Sequence, residues 1–214
     1  MKTAIVIPAY NAAHTLAQVI ARIPAGVVSQ VGRIWIVDDG SQDEPARVAG
    51  DLASGNSSIE CVRHASNRGY GAALKTAIGL ARQADVSSLV CLHADGQYAP
   101  EELPRLMDEI QRRDLDVIQG SRIASGTALS GGMPLYKYAA GRTLTWVENR
   151  VFGLRMSDYH SGYLMQGRWA LRLIPYEQLS EGFDVELVVI ACAVAGGVRV
   201  GVGRSACRGG GGVG

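Results

Sequence analysis

Arg33-Ile34-Trp35-Ile36-Val37-Asp38-Asp39-Gly40-Ser41 is a short apolar run rich in strand-forming residues that stops abruptly on two carboxylates and a turn. The same construction recurs through the first 120 residues, at Thr3 to Ile7, Ile59 to Val62, Ser88 to Leu92 and Asp116 to Gln119. Helix-period segments lie between these runs. Leu16, Val19, Ile20 and Ile23 mark one apolar face, and Leu103, Leu106, Met107 and Ile110 repeat the i, i+3, i+4, i+7 spacing in another. Pro100 followed by Glu101 and Glu102 suits the first turn of that second helix. Strand and helix in alternation predict an α/β fold of repeated βαβ units with a mainly parallel sheet.

The chain has 214 residues, enough for one domain with a sizeable core. Lys and Arg number 21 against 20 Asp and Glu, and a formal charge of +1 gives no footprint for nucleic acid. Cys61, Cys91, Cys192 and Cys207 form no C-x-x-C pair and read as reduced. The longest uncharged apolar stretch, Leu187 to Val198, has 12 residues, too few to span a bilayer as a helix. Ala4-Ile5-Val6-Ile7 is too short for a signal-peptide core and ends at Pro8. From Gly196 to Gly214 nine residues are glycine, so little side chain is available to offset the ordering entropy and poor order is expected there.

Each strand run ends in unusual polar residues: Pro8-Ala9-Tyr10-Asn11, Asp38-Asp39-Gly40-Ser41, His64 with Asn67-Arg68-Gly69-Tyr70-Gly71, His93-Ala94-Asp95-Gly96-Gln97, and Gly120-Ser121-Arg122. The carboxyl ends of parallel strands share one edge, where ligands bind, so the five clusters are expected to converge. Taken singly, each allows two readings. Asp38 to Ser41 is either a turn with Ser41 capping the next helix through Glu44, or a carboxylate pair for a base or ribose. Gly69-Tyr70-Gly71 either holds phosphate on backbone N–H groups or permits close packing. His93, Asp95 and Gln97, at period two in an extended loop, would put three donor side chains on one side, a set that suits a divalent cation completed by water or phosphate.

In order and spacing, Ile7-Pro8-Ala9-Tyr10-Asn11, Val37-Asp38-Asp39-Gly40-Ser41, Asn67-Arg68-Gly69-Tyr70-Gly71, Ala94-Asp95-Gly96-Gln97 and Gly120-Ser121-Arg122 resemble the family-2 glycosyltransferases. Asp158-Tyr159-His160-Ser161-Gly162-Tyr163 further resembles the D-x-x-S-G-aromatic element of the dolichyl- or polyprenyl-phosphate sugar (mannosyl) synthase branch. The resemblance implies a GT-A nucleotide-diphospho-sugar transferase fold over residues 1–200, with 201–214 a disordered or truncated Gly-rich tail. It implies transfer of one sugar, with inversion, to a lipid phosphate at the inner, cytoplasmic face of the cell membrane, on the membrane surface or with a membrane partner. By the same resemblance, Pro8, Ala9, Tyr10, Asp38, Asp39, Asn67 and Gly71 would bind the nucleotide sugar. Asp95, with His93 and Gln97 beside it, would hold Mg2+ or Mn2+ on the diphosphate. Arg122 would meet a phosphate, and Asp158, Ser161 and Arg142 would serve the catalytic and acceptor side.

Two departures from the family pattern stand out. His93 replaces an Asp, and imidazole suits Mn2+ better than Mg2+. After Val200 the family would continue through an acidic-proline strand and an Arg-bearing loop. Were the acceptor a hydroxyl rather than a phosphate, a base would be required, and Asp158 is the candidate; Asp184 and Glu186 compete with it, but Asp184, ahead of the apolar Leu187 to Ala195 run, reads more simply as a helix N-cap. From Pro134 to Phe152 a helix is expected with Ala140, Leu144, Val147 and Val151 toward the core. Tyr138, Arg142, Trp146 and Arg150 would then form a basic-aromatic face suited to lipid headgroups. The competing functions are transfer to a saccharide hydroxyl and non-catalytic binding of a nucleotide sugar. A nucleotidyltransferase would carry a Gly-rich basic loop where Pro8-Ala9-Tyr10-Asn11 stands.

Overall fold

Ala4, Ile5, Val6 and Ile7 are all fully buried, and successive side chains of a strand point to opposite faces. Ile5 and Ile7 therefore join one core cluster, with Leu16, Val19, Leu103 and Leu106, while Ala4 and Val6 join the other, with Leu74, Ile78, Val185 and Val189. A strand covered on both sides lies inside a helix-sheet-helix sandwich. The computed structural model describes residues 2–43, 45–130, 132–182 and 185–205.

Seven strands form one sheet: β1 (Thr3–Ala9), β2 (Val31–Asp38), β3 (Ile59–Arg63), β4 (Ser88–Cys91), β5 (Val117–Ser121), β6 (Leu164–Gly167) and β7 (Val200–Arg204), in the order β3-β2-β1-β4-β6-β5-β7. β1 pairs parallel with β2 and β4, and β2 with β3, while β6 runs antiparallel between β4 and β5. The ends of β1 to β5 thus share an edge, and the segment entering β6 arrives there too. The helices are α1 (Ala13–Ala21), α2 (Ala25–Val28), α3 (Pro45–Gly55), α4 (Tyr70–Gln83), α5 (Leu103–Arg112), α6 (Leu135–Phe152), α7 (Arg168–Leu173) and α8 (Val185–Ala195). In α5 the expected Leu103, Leu106, Met107 and Ile110 are the buried residues.

Two expectations are corrected. Within the Gly-rich stretch, residues 200–204 form a regular strand, since β7 pairs parallel with β5 from Val117↔Val200 to Ser121↔Arg204. Its glycines have a packing reason. A Cβ on Gly201 would lie 2.5 Å from Leu115 Cδ1, and one on Gly203 would lie 2.8 Å from Leu106 Cδ2. Glycine at these positions leaves room for the side-chain tips of Leu106, on α5, and Leu115, just beyond it, against the edge strand. Residues 206–214, Glu44 and Asp184 lie outside the described residues, and with them the tail expectation for 206–214, Cys207 and the two expected caps. Cys61, Cys91 and Cys192 are free thiols.

The second correction concerns the core side of α6, since Arg142, Trp146 and Arg150 are exposed as expected. Leu144, Val147 and Val151 are exposed, as is Ala140, and the buried positions are Thr145 and Glu148. The inward face is polar because it binds a loop rather than a core. The Asn149 side-chain amide donates to Met156 O at 2.9 Å, and its Oδ1 accepts from Met156 N–H at 2.7 Å and from the Tyr159 hydroxyl at 2.9 Å. Glu148 Oε1 lies 2.8 Å from His160 Nε2.

Candidate active site

At the carboxyl edge of the sheet a cavity of about 420 Å³ opens between the ends of β1, β2 and β4 and the start of α4. Pro8, Ala9 and Tyr10 form one wall, Asp39, Asn67 and Gly69 a second, and Tyr70, His93 and Asp95 a third. A larger cleft, about 830 Å³, lies at the opposite edge beside Ser88, Asp116 and Trp169. Its arginines are already engaged, Arg168 and Arg172 with Asp85 and Arg199 with Asp114 and Asp116, and it collects none of the strand-end clusters.

The two carboxylates after β2 do different work. Asp38 is fully buried and off the cavity wall. Its Oδ1 accepts from Ser41 N–H at 2.9 Å, and its Oδ2 lies 3.2 Å from Arg63 Nε. Asp39 is on the wall but 4% exposed, and it accepts from Arg68 N–H at 3.0 Å and Gly69 N–H at 2.7 Å. His64 Nδ1 sits 2.7 Å from the same carboxylate, and His64 Nε2 sits 2.9 Å from Thr76 Oγ1. Asp39 is therefore the post around which the 67–71 loop is wound. Ser41 Oγ accepts from Asn11 N–H at 3.0 Å, tying the end of β1 to the end of β2.

Gly69 and Gly71 start α4 in close contact with the 180–181 backbone. Gly69 has φ +98°, and a Cβ on Gly71 would lie 2.7 Å from Ser180 O. Gly71 N–H donates to Glu181 O at 2.9 Å. Close packing is thus the role of Gly71, which does not line the cavity.

His93 lies in an aromatic bracket, 5.1 Å from the Tyr70 ring and 5.0 Å from the Tyr98 ring. Its Nε2 is buried without a hydrogen-bond partner, and a Cβ on Gly162 would come within 2.1 Å of it. Burial pushes the imidazole below its ordinary pKa, against the opposing pull of Asp95. Gly162 thus leaves the space that the His93 ring occupies. Gly162→Ala should cost about 1–3 kcal/mol of stability by overpacking. In a His93→Ala background the same substitution should cost less than half as much, as read by denaturant midpoints in a double-mutant cycle.

Beyond His93 lies the loop that enters β6. Gln119 Nε2 donates to Tyr159 O at 3.1 Å and to Ser161 O at 2.8 Å, and Ser161 Oγ donates to Gly120 O at 2.5 Å. Gly162 N–H donates to the Tyr98 hydroxyl at 3.0 Å. Burial raises the pKa of that hydroxyl, with Ser161 and Arg122 acting against the rise and Asp158 with it. Asp158 is buried and its Oδ1 accepts from His160 N–H at 2.9 Å.

A strand-end pocket with a carboxylate in its wall and a polar loop closing one side is shared by many nucleotide-binding folds, so the sequence match decides among them. Residues 4–179 match the family model described as Glycosyl transferase family 2. The chain belongs to this family. It is 29% identical over 93% of its length, and 74% of the relative's, to the polyprenol monophosphomannose synthase of Mycolicibacterium smegmatis. To the dolichol-phosphate mannosyltransferase of Saccharomyces cerevisiae it is 25% identical, over 87% of this chain and 69% of the other. A solved glucosyl-3-phosphoglycerate synthase from Mycobacterium tuberculosis, in complex with Mn2+, UDP and phosphoglyceric acid, superposes with a TM-score of 0.71 at 20% identity, covering 97% of this chain and 70% of that one. The fold is accordingly GT-A-like, as expected, and the protein is a glycosyltransferase.

In this glycosyltransferase the expected nucleotide-binding residues Pro8, Ala9, Tyr10, Asp39, Asn67 and Asp95 gather on one cavity, whereas Asp38, Gly71, Gln97 and Arg122 do not line it. Arg122 directly follows β5, and Ser161, on the loop that carries Asp158, donates from Oγ to Gly120 O two residues before it. Arg142 is exposed on α6. Asp95 is exposed, with Oδ1 accepting from Gln97 N–H at 2.9 Å, so the Gln97 backbone orients the carboxylate. Among the described residues no three His, Cys, Asp or Glu side chains cluster as a metal site. One carboxylate fits a hard cation whose other positions are filled by diphosphate oxygens and water. His93 does not fit as an Nε2 ligand, since that atom is buried under Gly162.

Gln119, Asn149 and the Glu148–His160 pair, which fix the 156–162 loop, were not foreseen from sequence. In sequence Gln119 stands as the end of an apolar strand, and the helical period alone gives no sign that the inner face of α6 meets a polar loop.

Proposed function

We propose that the protein transfers a sugar, with inversion, from a nucleotide-diphospho-sugar to a polyprenyl phosphate, assisted by a divalent cation at Asp95. The observation that carries this reading is the juxtaposition of two sites across His93 and Tyr98: the cavity walled by Tyr10, Asp39, His93 and Asp95, and the loop carrying Asp158 and Ser161, which Gly162 N–H ties to the Tyr98 hydroxyl and Ser161 Oγ ties to Gly120 O, two residues before Arg122. The lipid-phosphate acceptor is supported by the names of the relatives.

The donor's base and ribose would lie against Pro8 to Tyr10 and the Asp39-supported loop. An acceptor phosphate oxygen attacks the sugar's anomeric carbon, and the bond from that carbon to the diphosphate breaks with its electrons leaving on the nucleoside diphosphate. A divalent cation, when bound, supplies Lewis-acid stabilisation of that leaving charge, several kcal/mol in size. Asp95 would hold it. Arg122, which makes no ion pair among the described residues, adds fixed positive charge on the acceptor side. A phosphate acceptor is anionic at neutral pH and requires positioning rather than deprotonation. Asp158 then orders the loop through His160 N–H. The reading places the enzyme at the inner face of the membrane, where nucleotide sugars and lipid phosphates meet; among the described residues no helix is long and apolar enough to cross.

The experiment is nucleoside diphosphate release from a panel of nucleotide sugars with Mn2+ or Mg2+, comparing polyprenyl phosphate, polyprenol and a short oligosaccharide as acceptors. Release that depends on the polyprenyl phosphate is expected. Release driven equally by the oligosaccharide would replace this reading with transfer to a saccharide hydroxyl.

A further inference from the structure

We infer that the ion pair between Arg22 and Glu101 is a clasp that positions the Asp95 turn for its divalent cation, an inference that rests on the reading of Asp95 as the cation's carboxylate. Both residues lie off the cavity wall, Arg22 at the C-terminal end of α1 and Glu101 in the 3-10 turn Pro100–Glu102 that leads into α5. Arg22 Nε and Nη2 donate to Glu101 Oε1 and Oε2, each at 2.9 Å, so the planar fork of the guanidinium meets both carboxylate oxygens. The pair joins positions 79 residues apart in sequence.

The clasp acts on the segment between them and the sheet. No helix or strand spans residues 92–99. The bonds inside the turn are short-range, Gln97 N–H donating to Asp95 Oδ1 at 2.9 Å and Gly96 N–H to His93 O at 3.4 Å. They shape the turn without fixing where it sits on the protein. On one side the segment is tied to the loop entering β6, where Gly162 N–H donates to the Tyr98 hydroxyl at 3.0 Å and the Tyr163 hydroxyl to Ala99 O at 3.2 Å. On the other side the turn lies against α1: a Cβ on Gly96 would be 3.5 Å from Val19 Cγ2 and 3.7 Å from Arg22 Nη1. Val19 is buried in the core, so α1 is a fixed reference for the turn. Arg22 therefore touches the turn itself and also grips the residue at which the segment re-enters a helix.

The pair is too exposed to be a large contributor to the fold. The Arg22 and Glu101 side chains are 26% and 46% exposed, and exposed pairs add little to global stability. Placement is where a bidentate pair matters. A carboxylate that supplies one oxygen to a cation must be held within about 0.5 Å of its working position, and Asp95 is exposed on the turn. Among the described residues no cluster of three His, Cys, Asp or Glu side chains shares that task. Arg22 acts through the turn rather than on the donor, since Nε and Nη2 are committed to Glu101 and Nη1 lies beside Gly96.

The test is EPR titration of the full chain with Mn2+ in the presence of UDP and, in parallel, GDP, with each diphosphate and Mn2+ alone as the blank. Protein-dependent Mn2+ binding that is lost in Asp95→Ala is expected. Arg22→Gln and Glu101→Gln should each weaken it about tenfold, the low end of what the loss of an outer partner costs a metal site. The double variant should be no worse than either single, because the same clasp is lost in all three. Arg22→Lys keeps the charge without the fork and should weaken binding about threefold. Melting should shift by at most about 4 °C in each variant. Diphosphate affinity in EDTA should stay at the wild-type value, and in turnover the Mn2+ concentration for half-maximal activity should rise with kcat at saturating Mn2+ kept. Single variants that bind Mn2+ as wild type does, effects that add in the double variant, or a loss of diphosphate affinity in EDTA equal to the loss of Mn2+ affinity would each overturn the clasp. Wild type that binds no Mn2+, or Asp95→Ala that binds it unchanged, would instead remove the reading of Asp95 on which the clasp depends.

Discussion

Asp95→Ala should lower turnover about 100- to 1,000-fold with either Mg2+ or Mn2+, the loss of about 2.7–4 kcal/mol that follows removal of one preorganised electrostatic contribution to the transition state. The size follows from how little else this chain offers a cation. Among the described residues there is no cluster of three potential ligands, and the Nε2 of His93 is buried under Gly162. Asp95 is exposed at the cavity, so its removal should leave the melting temperature unchanged within about 1 °C, because substitutions away from the core cost within about 0.5 kcal/mol. His93→Asp separates the two roles of this loop. If His93 only packs between Tyr70 and Tyr98, the ratio of Mg2+- to Mn2+-supported activity stays at its wild-type value and the protein loses stability instead. A ratio moved toward Mg2+ would return the imidazole to the metal.

Asp39→Ala should destabilise the fold by about 3–5 kcal/mol, since its buried carboxylate serves the Arg68 and Gly69 N–H groups and His64, and each orphaned donor costs about 1–3 kcal/mol. Nucleotide affinity should fall with it, because the 67–71 loop loses its anchor. Denaturant unfolding and calorimetric titration with a nucleoside diphosphate check the two effects on one preparation. A variant with wild-type stability that lost only affinity, by about 1–3 kcal/mol, would make Asp39 a direct nucleotide contact rather than a post. His64→Ala should be milder, since the two backbone donors keep the carboxylate.

These expectations differ from those of the bare sequence in instructive places. The five strands and the convergence of their polar ends were legible because alternating βαβ segments force the carboxyl ends to one edge. β6 and β7 were not. β6 is four residues long and antiparallel, and β7 alternates valine with two glycines whose packing against Leu106 and Leu115 shows only in three dimensions. Asp38 and Asp39 are adjacent in sequence and chemically identical, yet one turns to Ser41 and Arg63 and the other to the 67–71 loop; strand alternation separates them, and the sequence names neither partner. In α6 the basic-aromatic residues face outward as their chemistry suggests, but the apolar arc is exposed too, because an apolar arc on a helix defines a face without saying what covers it.

The most direct measurement is isolation of the product after incubation with a nucleotide sugar, Mn2+ and a polyprenyl phosphate, with mass spectrometry for composition and NMR for the linkage. The account predicts one sugar joined through its anomeric carbon to the lipid phosphate, in the anomeric configuration opposite to that of the donor. Sugar attached to a saccharide hydroxyl, retained configuration, or free sugar with the lipid phosphate untouched would contradict it.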